Sequence, residues 1–315
     1  MNALQVLVCG TNYGRIYLEA IRLGGAGYRL AGIFARGSAL SQRVACECAV
    51  PLYRSIKDLD PAIDLACAAM GASGADVIID LLSRGIHVLC EHPQKPSRLQ
   101  SALDAATRGR LCFHINGHFA DLEAAAAFIR HCRQLSGIAP PSFFHVTATD
   151  RSLYAALDIL RRVSVSFAPF EFHMTSRSFP FTIVQGVLGR VPVTFHLQRG
   201  ADGRALPDAN PAYLVDHRIL AGFPTGNLTL LSMNGPVVWN ANLNCVPGSP
   251  ESLFTMVHES RALTAELLHQ QRVVTNFAAM ETIAKNMRER VTPPEQAHDY
   301  LLEVSRAWET LGGLL

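Results

Sequence analysis

The sequence lacks the features that mark several protein classes. Charged residues make up only 17% of the 315 residues and the formal net charge is +2, so the strongly basic pattern of a nucleic-acid-binding protein is missing. No apolar run reaches the roughly 20 residues that a membrane helix needs. A strand-like run, LQVLVCG, begins close to the N-terminus, so we expect no signal peptide. These observations predict a cytoplasmic protein that binds neither nucleic acid nor membrane.

Cysteine pairs with metal-ligand spacing are also missing. The eight cysteines include no CxxC pair, and Cys9, Cys67 and Cys90 lie inside apolar runs typical of strands. Cysteines in such runs are usually reduced thiols in the core of a cytosolic protein. The sequence therefore predicts no metal site.

Two different rhythms follow one another along the chain. Up to about residue 120, short apolar runs such as LQVLVCG, RLAGIFA and IHVLC alternate with segments of helical spacing, which is typical of a doubly wound parallel sheet. After a further helix come six segments, from FFHVTATD to PVVWNANL, that alternate apolar and polar residues as antiparallel strands do. Residues 251–315 are expected to be mostly helical, with a break at Thr292-Pro293-Pro294.

These rhythms predict an α/β protein with two domains. Residues 1–120 should form a domain built on a doubly wound parallel sheet. Residues 121–315 should form an α+β domain with a large, mostly antiparallel sheet, whose C-terminal helices could pack back on the first domain. We expect the second domain to bind substrate and to contribute an oligomer contact, since a long alternating sheet has one face to cover.

A glycine-containing turn follows the first strand. Aligned to the last glycine of G-x-G-x-x-G, the chain has Cys9, Thr11 and Gly14, with Gly10 as an extra glycine inside the turn. The strand before it and the helix after it favour a dinucleotide site, in which backbone N–H groups bind the pyrophosphate. A plain strand-to-helix turn is the alternative interpretation.

The end of the second strand carries no acidic residue. Sites that prefer NAD place a carboxylate there to bind the ribose hydroxyls. Here Arg36 and Ser38 stand at that point, with Ser41 and Arg43 nearby, and arginine offers a planar fork suited to a 2′-phosphate. The sequence therefore favours NADPH over NADH, although Arg36 could also be an ordinary surface charge. Residues 1–120 are thus expected to be an NADP-binding Rossmann domain.

The pattern RGIHVLCEHP ends a buried strand and delivers Glu91, His92 and Pro93 to the sheet edge where ligands bind in open α/β folds. With this segment the N-terminal half resembles the glucose-fructose oxidoreductase and inositol dehydrogenase superfamily, whose members carry Glu-Lys-Pro there. A closer resemblance is to the thiazolinyl imine reductases of pyochelin and yersiniabactin siderophore biosynthesis. It rests on VLVCGTNYGRIYLEA, RGSALSQRVACECAVPLYRS, RGIHVLCEHP, LYAALD and HRILAGFPTGNLTLLSMNGPVVWN, over roughly residues 4–245.

The resemblance implies a definite reaction. Such an enzyme uses NADPH to reduce the C=N bond of a thiazoline ring to a thiazolidine, while the substrate is held as a thioester on the phosphopantetheine arm of a nonribosomal peptide synthetase carrier domain. A protein acid or water protonates the nitrogen. We also expect a homodimer. The cofactor contacts are expected from Gly10, Thr11, Asn12, Tyr13, Gly14, Arg36, Ser38, Met70, Glu91, His92 and Asn116.

The family's proposed tyrosine proton donor falls on Phe119 in this chain. His92 and His118 then remain as ionisable candidates, with Tyr154 as a third. Histidine, with a pKa of about 6.5, gives up a proton at pH 7 more readily than lysine, with a pKa of about 10.4. His92 could alternatively only order the nicotinamide or the substrate.

Three further residues are candidates for substrate contact. Asp158 lies four residues after Tyr154 on an apolar helix stripe, and a paired structural carboxylate is the alternative there. His217 precedes an apolar run, and a surface residue is the alternative. Trp239 lies on an alternating strand, where a core position is the alternative to a stacking platform.

Two other functions remain open. One is a sugar or polyol dehydrogenase of the wider superfamily, although His92 replaces the lysine on which alcohol oxidation there relies as a base. The other is a regulator that binds NADP without catalysis. Consumption of NADPH with a thiazoline, with a polyol or with neither separates the three functions.

Overall fold

The computed structural model describes residues 3–198, 216–242, 253–260 and 264–315. The chain forms two compact units. The first contains Met1–His118 and Thr264–Leu302, and the second contains Phe119–Leu263 and Glu303–Leu315. Each unit has one sheet, and Cys245 lies outside the described residues.

The first unit contains a six-stranded sheet in which every described pairing is parallel. Its strands are β1 (Leu4–Cys9), β2 (Tyr28–Phe34), β3 (Leu52–Tyr53), β4 (Leu65–Ala68), β5 (His87–Glu91) and β6 (Phe113–Asn116). The strand order β3-β2-β1-β4-β5-β6 reverses direction at β1, which is the topological switch point of a doubly wound sheet. The Rossmann sheet predicted from the sequence is confirmed.

Four helices connect these strands, as the helical spacing in the sequence predicts. They are α1 (Arg15–Leu23), α2 (Ala39–Glu47), α3 (Ala75–Ser83) and α4 (Pro96–Gly109). Ser38 caps α2, because its hydroxyl accepts a hydrogen bond from the Ser41 N–H. Each connection returns the chain to the amino edge of the sheet, so the loops after the strands gather at the carboxyl edge.

The second unit contains an eight-stranded sheet, of order β14-β13-β12-β11-β7-β10-β9-β8. Its pairings are antiparallel except for the parallel pair of β7 and β10. The strands are β7 (Phe143–Thr149), β8 (Phe170–Ser178), β9 (Phe181–Leu188), β10 (Val191–Gln198), β11 (His217–Phe223), β12 (Gly226–Leu230), β13 (Val237–Ala241) and β14 (Phe254–His258). Two helices of this unit precede β8: α5 (Glu123–Ser136) and α6 (Leu153–Val163).

Residues 251–315 are mostly helical, as predicted, but strand β14 near their start was not predicted. It pairs with β13 at the edge of the sheet, and Phe254 and Met256 are both exposed. This short segment has no clear alternation of apolar and polar residues that would mark a strand in the sequence. It is held by its pairing with β13 rather than by a buried face.

The C-terminal helices are α7 (Ala265–Glu289) and α8 (His298–Gly313), which lie on either side of the predicted Thr292-Pro293-Pro294 break. Met280, Ile283 and Ala284 of α7 are buried in the same hydrophobic core as Val6 of β1 and Tyr17 of α1. Helix α7 therefore completes the first unit although it lies far from β1 in the sequence. In the ranges that the structure describes, no helix is long and apolar enough to cross a membrane.

Candidate active site

The turn after β1 has a backbone that only glycine fits. Gly10 has a φ of 92°, and a Cβ atom on Gly14 would lie 2.1 Å from the carbonyl oxygen of Gly10. Gly14 caps α1, and the first turn of that helix contains no acidic residue and, among the described residues, no side-chain cap. The backbone N–H groups at the start of α1 can therefore bind an anion, such as the pyrophosphate of a nicotinamide dinucleotide. The side chains of Thr11 and Asn12, buried and exposed respectively, follow in the same turn.

A second cationic residue stands beside the end of β2. Arg36 and Ser38 are exposed there, as a contact with the 2′-phosphate would require. A Cβ atom on Gly37 would lie 2.5 Å from Nε of Arg54, so the Arg54 guanidinium lies against this backbone. Sequence reasoning missed Arg54, although it directly follows β3, the parallel neighbour of β2. Met70, which follows β4, lies close to the glycine turn, with its Cγ 3.6 Å from a Cβ position on Gly10.

Glu91, the last residue of β5, belongs to a hydrogen-bonded cluster. Its Oε1 accepts hydrogen bonds from the Tyr17 hydroxyl and from Nδ2 of Asn116, the latter at 2.8 Å. Nδ2 of Asn116 also lies 2.7 Å from the Tyr17 hydroxyl and 2.7 Å from Oδ1 of Asn276. Burial raises the pKa of Glu91, while His92, Tyr17 and Asn116 act in the opposite direction.

His92 and His118 face each other beside this cluster, with ring centroids 6.0 Å apart. Nδ1 of His92 lies 2.7 Å from the carbonyl oxygen of Asn116, so this nitrogen carries the proton and donates it. Nε2 of His118 lies 2.9 Å from the Tyr13 hydroxyl, and the backbone N–H of His118 donates a hydrogen bond to Oδ1 of Asn116. The backbone carbonyl group of Asn116 therefore holds the ring of His92, and the side chain of Asn116 holds the backbone of His118.

The electrostatics separate the two histidines as acids. Burial lowers the pKa of His118 well below its ordinary value of 6.5, and the charges of His92 and Arg272 lower it further. His118 is therefore neutral at pH 7. His92 is only partly buried, which leaves it the better placed of the two to meet a substrate. Desolvation and the Glu91 carboxylate raise the pKa of Tyr13, so its hydroxyl keeps its proton.

Helix α7 supplies two residues that sequence reasoning missed. Asn276 is fully buried, its Oδ1 accepts from Asn116, and its Nδ2 donates to the carbonyl oxygen of Arg272 one turn earlier. Arg272 acts electrostatically on both Tyr13 and His118. A weak signal existed: α7 carries buried polar residues, among them Thr275, on an otherwise apolar face. Tyr17 was missed as well, since its position in α1 reads as a core residue.

The candidates in the second unit occupy three separate elements. Tyr154 and Asp158 are buried on α6, and Oδ2 of Asp158 lies 3.3 Å from a guanidinium nitrogen of Arg162, as in a paired structural carboxylate. His217, on β11, is buried rather than at the surface, and burial lowers its pKa to about 4. Trp239, on β13, is partly buried, with its ring 6.4 Å from that of Phe223.

Known structures share this fold at low sequence identity. UDP-N-acetylglucosamine 3-dehydrogenase GnnA from Acidithiobacillus ferrooxidans has a TM-score of 0.72 at 13% identity, over 100% of this chain and 98% of that one. An oxidoreductase from Agrobacterium radiobacter, solved with NAD+, L-tartaric acid and magnesium, has a TM-score of 0.70 at 10% identity, over 98% and 95%. A super-repressor mutant of Gal80p from Saccharomyces cerevisiae has a TM-score of 0.71 at 12% identity, over 99% and 96%. These likenesses establish the fold.

Two family profiles match the sequence in different regions, whereas no curated protein sequence matches it. Residues 4–116 match the oxidoreductase family with an NAD-binding Rossmann fold, which supports a nicotinamide cofactor. Residues 139–240 match the C-terminal domain of Irp3-like thiazolinyl imine reductases. The two resemblances inferred from the sequence are thereby confirmed: residues 4–116 match the Gfo/Idh/MocA oxidoreductase family, and residues 139–240 match the Irp3-like C-terminal domain.

Proposed function

We propose that the protein uses NADPH to reduce the C=N bond of a thiazoline to a thiazolidine in the biosynthesis of a siderophore of the pyochelin or yersiniabactin type. The substrate is a thioester on the phosphopantetheine arm of a nonribosomal peptide synthetase carrier domain. The observation that carries this proposal is the match of residues 139–240 to the C-terminal domain of Irp3-like thiazolinyl imine reductases. The Rossmann match of residues 4–116 supplies the matching cofactor domain.

The residues of the first unit fit the binding of NADPH. The N–H groups that follow Gly14 bind the pyrophosphate, since no acidic side chain competes for the first turn of α1. Arg36, Ser38 and Arg54 contact the 2′-phosphate, because all three are exposed around the end of β2, where no carboxylate repels it. NADPH supplies the hydride that the imine carbon accepts.

His92 donates the proton to the imine nitrogen or positions the substrate for protonation by water. Its Nδ1 is held by the Asn116 carbonyl oxygen at 2.7 Å, so the orientation of the ring is determined before substrate binds. His118 is neutral and acts by holding the Tyr13 hydroxyl at 2.9 Å, which leaves it a positioning role rather than that of an acid. Tyr154 stays the third candidate donor.

The residue at position 92 also weighs against alcohol oxidation. Related sugar and polyol dehydrogenases, as the sequence resemblance implies, place a lysine base there. Histidine loses its proton at a pH about four units lower than lysine, so it suits proton delivery to a nitrogen near pH 7. The substitution therefore favours reduction of an imine over oxidation of a polyol.

We propose further that the protein is a homodimer that uses the open face of its eight-stranded sheet. One register row across β9, β10, β7 and β11 brings Gln185, Thr194, His145 and Leu220 to the same face, and Gln185 and His145 are exposed. A long sheet with one uncovered face is a common site of subunit contact. Light scattering at micromolar concentration should give twice the mass of the chain, and a strict monomer would contradict this part of the proposal.

The reaction is tested by following NADPH consumption with a thiazoline thioester on a phosphopantetheine analogue, and NADPH formation from NADP+ with a polyol and with a nucleotide sugar. We expect turnover with the thiazoline alone. Oxidation of the polyol or the sugar would make the protein a dehydrogenase, and tight NADPH binding without any turnover would make it a regulator. His92→Ala should lose at least about 100-fold in turnover with NADPH binding intact if His92 is the acid, and only a few-fold if water is.

Cofactor preference is tested by fluorescence titration with NADPH and NADH. The intact protein should bind NADPH more tightly, and Arg36→Ala and Arg54→Ala should each weaken NADPH by about 1.5–3 kcal/mol while leaving NADH unchanged. Arg98→Ala is the matched control, because Arg98 is an exposed arginine of the same unit paired with Asp76 at 2.7 Å. Equal affinities for the two cofactors would contradict the assignment of NADPH.

A further inference from the structure

Three side chains with metal-binding atoms meet at the edge of the first sheet. One ligand atom each from Glu91, His92 and His118 lies within 4.8 Å of the others. The sequence predicts no metal site, because its cysteines lack metal-ligand spacing. Glu91 and His92 are adjacent in the sequence, and His118 follows only after another helix and strand. The parallel sheet brings them together, because β5 and β6 are neighbours and both end at this edge.

The second nitrogen of each imidazole is already held by a hydrogen bond. Nδ1 of His92 lies 2.7 Å from the Asn116 carbonyl oxygen, and Nε2 of His118 lies 2.9 Å from the Tyr13 hydroxyl. Histidines that bind metals are oriented by such bonds to carbonyl or hydroxyl oxygens. The candidate ligand atoms are therefore Nε2 of His92, Nδ1 of His118 and a carboxylate oxygen of Glu91, whose Oε1 is itself oriented by Asn116 at 2.8 Å.

The donor set indicates which metal would bind. Two imidazole nitrogens and one carboxylate oxygen suit Zn²⁺ and similar transition metals, whereas Mg²⁺ and Ca²⁺ prefer oxygen ligands alone. Zn²⁺ binds such ligands at about 2.0–2.2 Å in a tetrahedron, which places ligand atoms roughly 3.4 Å apart. Separations of up to 4.8 Å are thus closed by side-chain movements of about 1 Å or less per residue.

The residue at position 92 makes this site possible. The wider superfamily, as the resemblance implies, has lysine there, and a charged ammonium group is no ligand for a cation. His92 is partly buried, which gives a metal a route from solvent, while His118 is 1% exposed and lies behind it. Histidine at position 92 can therefore serve proton transfer and also act as the third metal ligand beside Glu91 and His118.

We propose that Glu91, His92 and His118 bind one Zn²⁺ ion and that the bound ion inhibits the reductase. Coordination takes the ring nitrogen of His92 that would otherwise serve the substrate, so turnover stops while the metal is bound. The inhibition rests on the proposed function, whereas the binding does not.

Binding is measured by titrating the metal-free, full-length protein with ZnCl₂ in a calorimeter, and with MgCl₂ as the second probe. We expect one Zn²⁺ per chain and no heat from Mg²⁺. His92→Lys, which restores the superfamily residue, and Glu91→Gln should each weaken Zn²⁺ binding by at least about tenfold. Unchanged Zn²⁺ affinity in both variants would overturn the proposal, provided that circular dichroism shows them folded.

His269→Ala provides the matched control. Nε2 of His269 lies 2.9 Å from Oε2 of Glu19, so this exposed pair offers another histidine and carboxylate of the first unit to the metal. The variant should keep the full affinity for Zn²⁺. Loss of the bound ion in His269→Ala, with retention in His92→Lys, would move the site to the surface and overturn the proposal.

Inhibition is measured separately, as NADPH consumption with the thiazoline thioester at increasing ZnCl₂, followed by addition of EDTA. We expect Zn²⁺ to suppress turnover at the concentrations that saturate the calorimetric site and EDTA to restore it. Full turnover with the site saturated would overturn the inhibitory role. If the protein binds Zn²⁺ as expected yet reduces no thiazoline, the proposed function fails and the metal site stands.

Discussion

The two units differ in how they use their polar side chains. In the first, residues from β5, β6, α1 and α7 meet in one hydrogen-bonded cluster around Asn116. In the second, the candidate residues are separated over α6, β11 and β13, and Asp158 is paired with Arg162 of its own helix. A parallel sheet ends all its strands at one edge and collects their following residues there, whereas an antiparallel sheet distributes its residues over its faces.

The largest expected effect comes from the glycine turn of the first unit. In Gly14→Ala the new Cβ atom would lie 2.1 Å from the Gly10 carbonyl oxygen, so the turn must open and its N–H groups move. Loss of two charge-assisted bonds to the pyrophosphate would cost about 3–6 kcal/mol, which lowers NADPH affinity by more than about 100-fold. Fluorescence titration measures this. Gly27→Ala, where the added atom meets nothing within 4 Å, is the control, and normal NADPH binding by Gly14→Ala would remove the turn from the cofactor site.

The next effect tests whether α7 belongs to the site. Asn276→Ala removes the Oδ1 that Nδ2 of Asn116 contacts at 2.7 Å, so the Asn116 side chain loses one of the bonds that orient it towards Glu91 and the His118 backbone. We expect turnover to fall by about 10- to 100-fold with little change in KM, since misplacement of reacting groups acts mainly on kcat. Steady-state kinetics with the thiazoline thioester measures both constants.

Asn286→Ala is the matched control for Asn276→Ala. Asn286 is a buried asparagine on the same helix, and its Oδ1 lies 2.9 Å from Nε2 of His114, outside the cluster around Asn116. Both variants should lose about 1–3 kcal/mol of stability, because each leaves a buried polar partner unmatched. Equal losses of turnover in the two variants would mean that Asn276 acts only through stability.

A smaller effect concerns pH and the second unit. Burial lowers the pKa of His217 to about 4, so between pH 6.5 and 4 the unfolded chain binds a proton that the folded chain refuses. Stability therefore falls as the pH decreases through this window, and His217 accounts for about 2 kcal/mol between pH 7 and pH 5. In denaturant titrations at the two pH values, His217→Leu should lose this part of the dependence, whereas His196→Leu, at an exposed position, should keep it. An unchanged dependence in His217→Leu would show that another group is responsible.

The smallest effect on activity is expected at Asp158. Asp158→Asn weakens the ion pair with Arg162 but leaves a side chain of the same shape, so turnover and KM should change by less than about twofold while stability falls by about 1–3 kcal/mol. A tenfold rise in KM would instead make Asp158 a substrate ligand. In that case the second unit would contribute a polar site of its own, and the contrast between the units would be lost.

Local patterns were sufficient for much of the first unit. The strands and helices of the Rossmann sheet follow from alternating apolar runs, and the turn at Gly10 and Gly14 follows from its place between a strand and a helix. Positions after strand ends predicted Glu91, His92 and Asn116 as site residues, because parallel strands end at a common edge. The structure brings these three residues together.

The sequence could not reveal partners that lie far apart along the chain. Asn276 follows Asn116 by 160 positions, and nothing in the spacing of α7 shows which strand it will face. In the sequence, Arg54 is indistinguishable from an ordinary surface arginine. Only the pairing of β2 with β3 places its guanidinium against Gly37. Strand β14 was missed for a similar reason, since it is held by pairing with β13 and its first three side chains are exposed.

The sequence by itself determined the order of the elements, the glycine turn and the histidine at position 92, because each depends on neighbouring residues and on the steric limits of the backbone. The tertiary structure decided which polar groups form hydrogen bonds with one another and which ionisable groups are neutral. Burial of His118 arises only in the folded chain, and Asn276 approaches Asn116 only when α7 packs against the sheet. Burial and distance determine pKa values and hydrogen bonds.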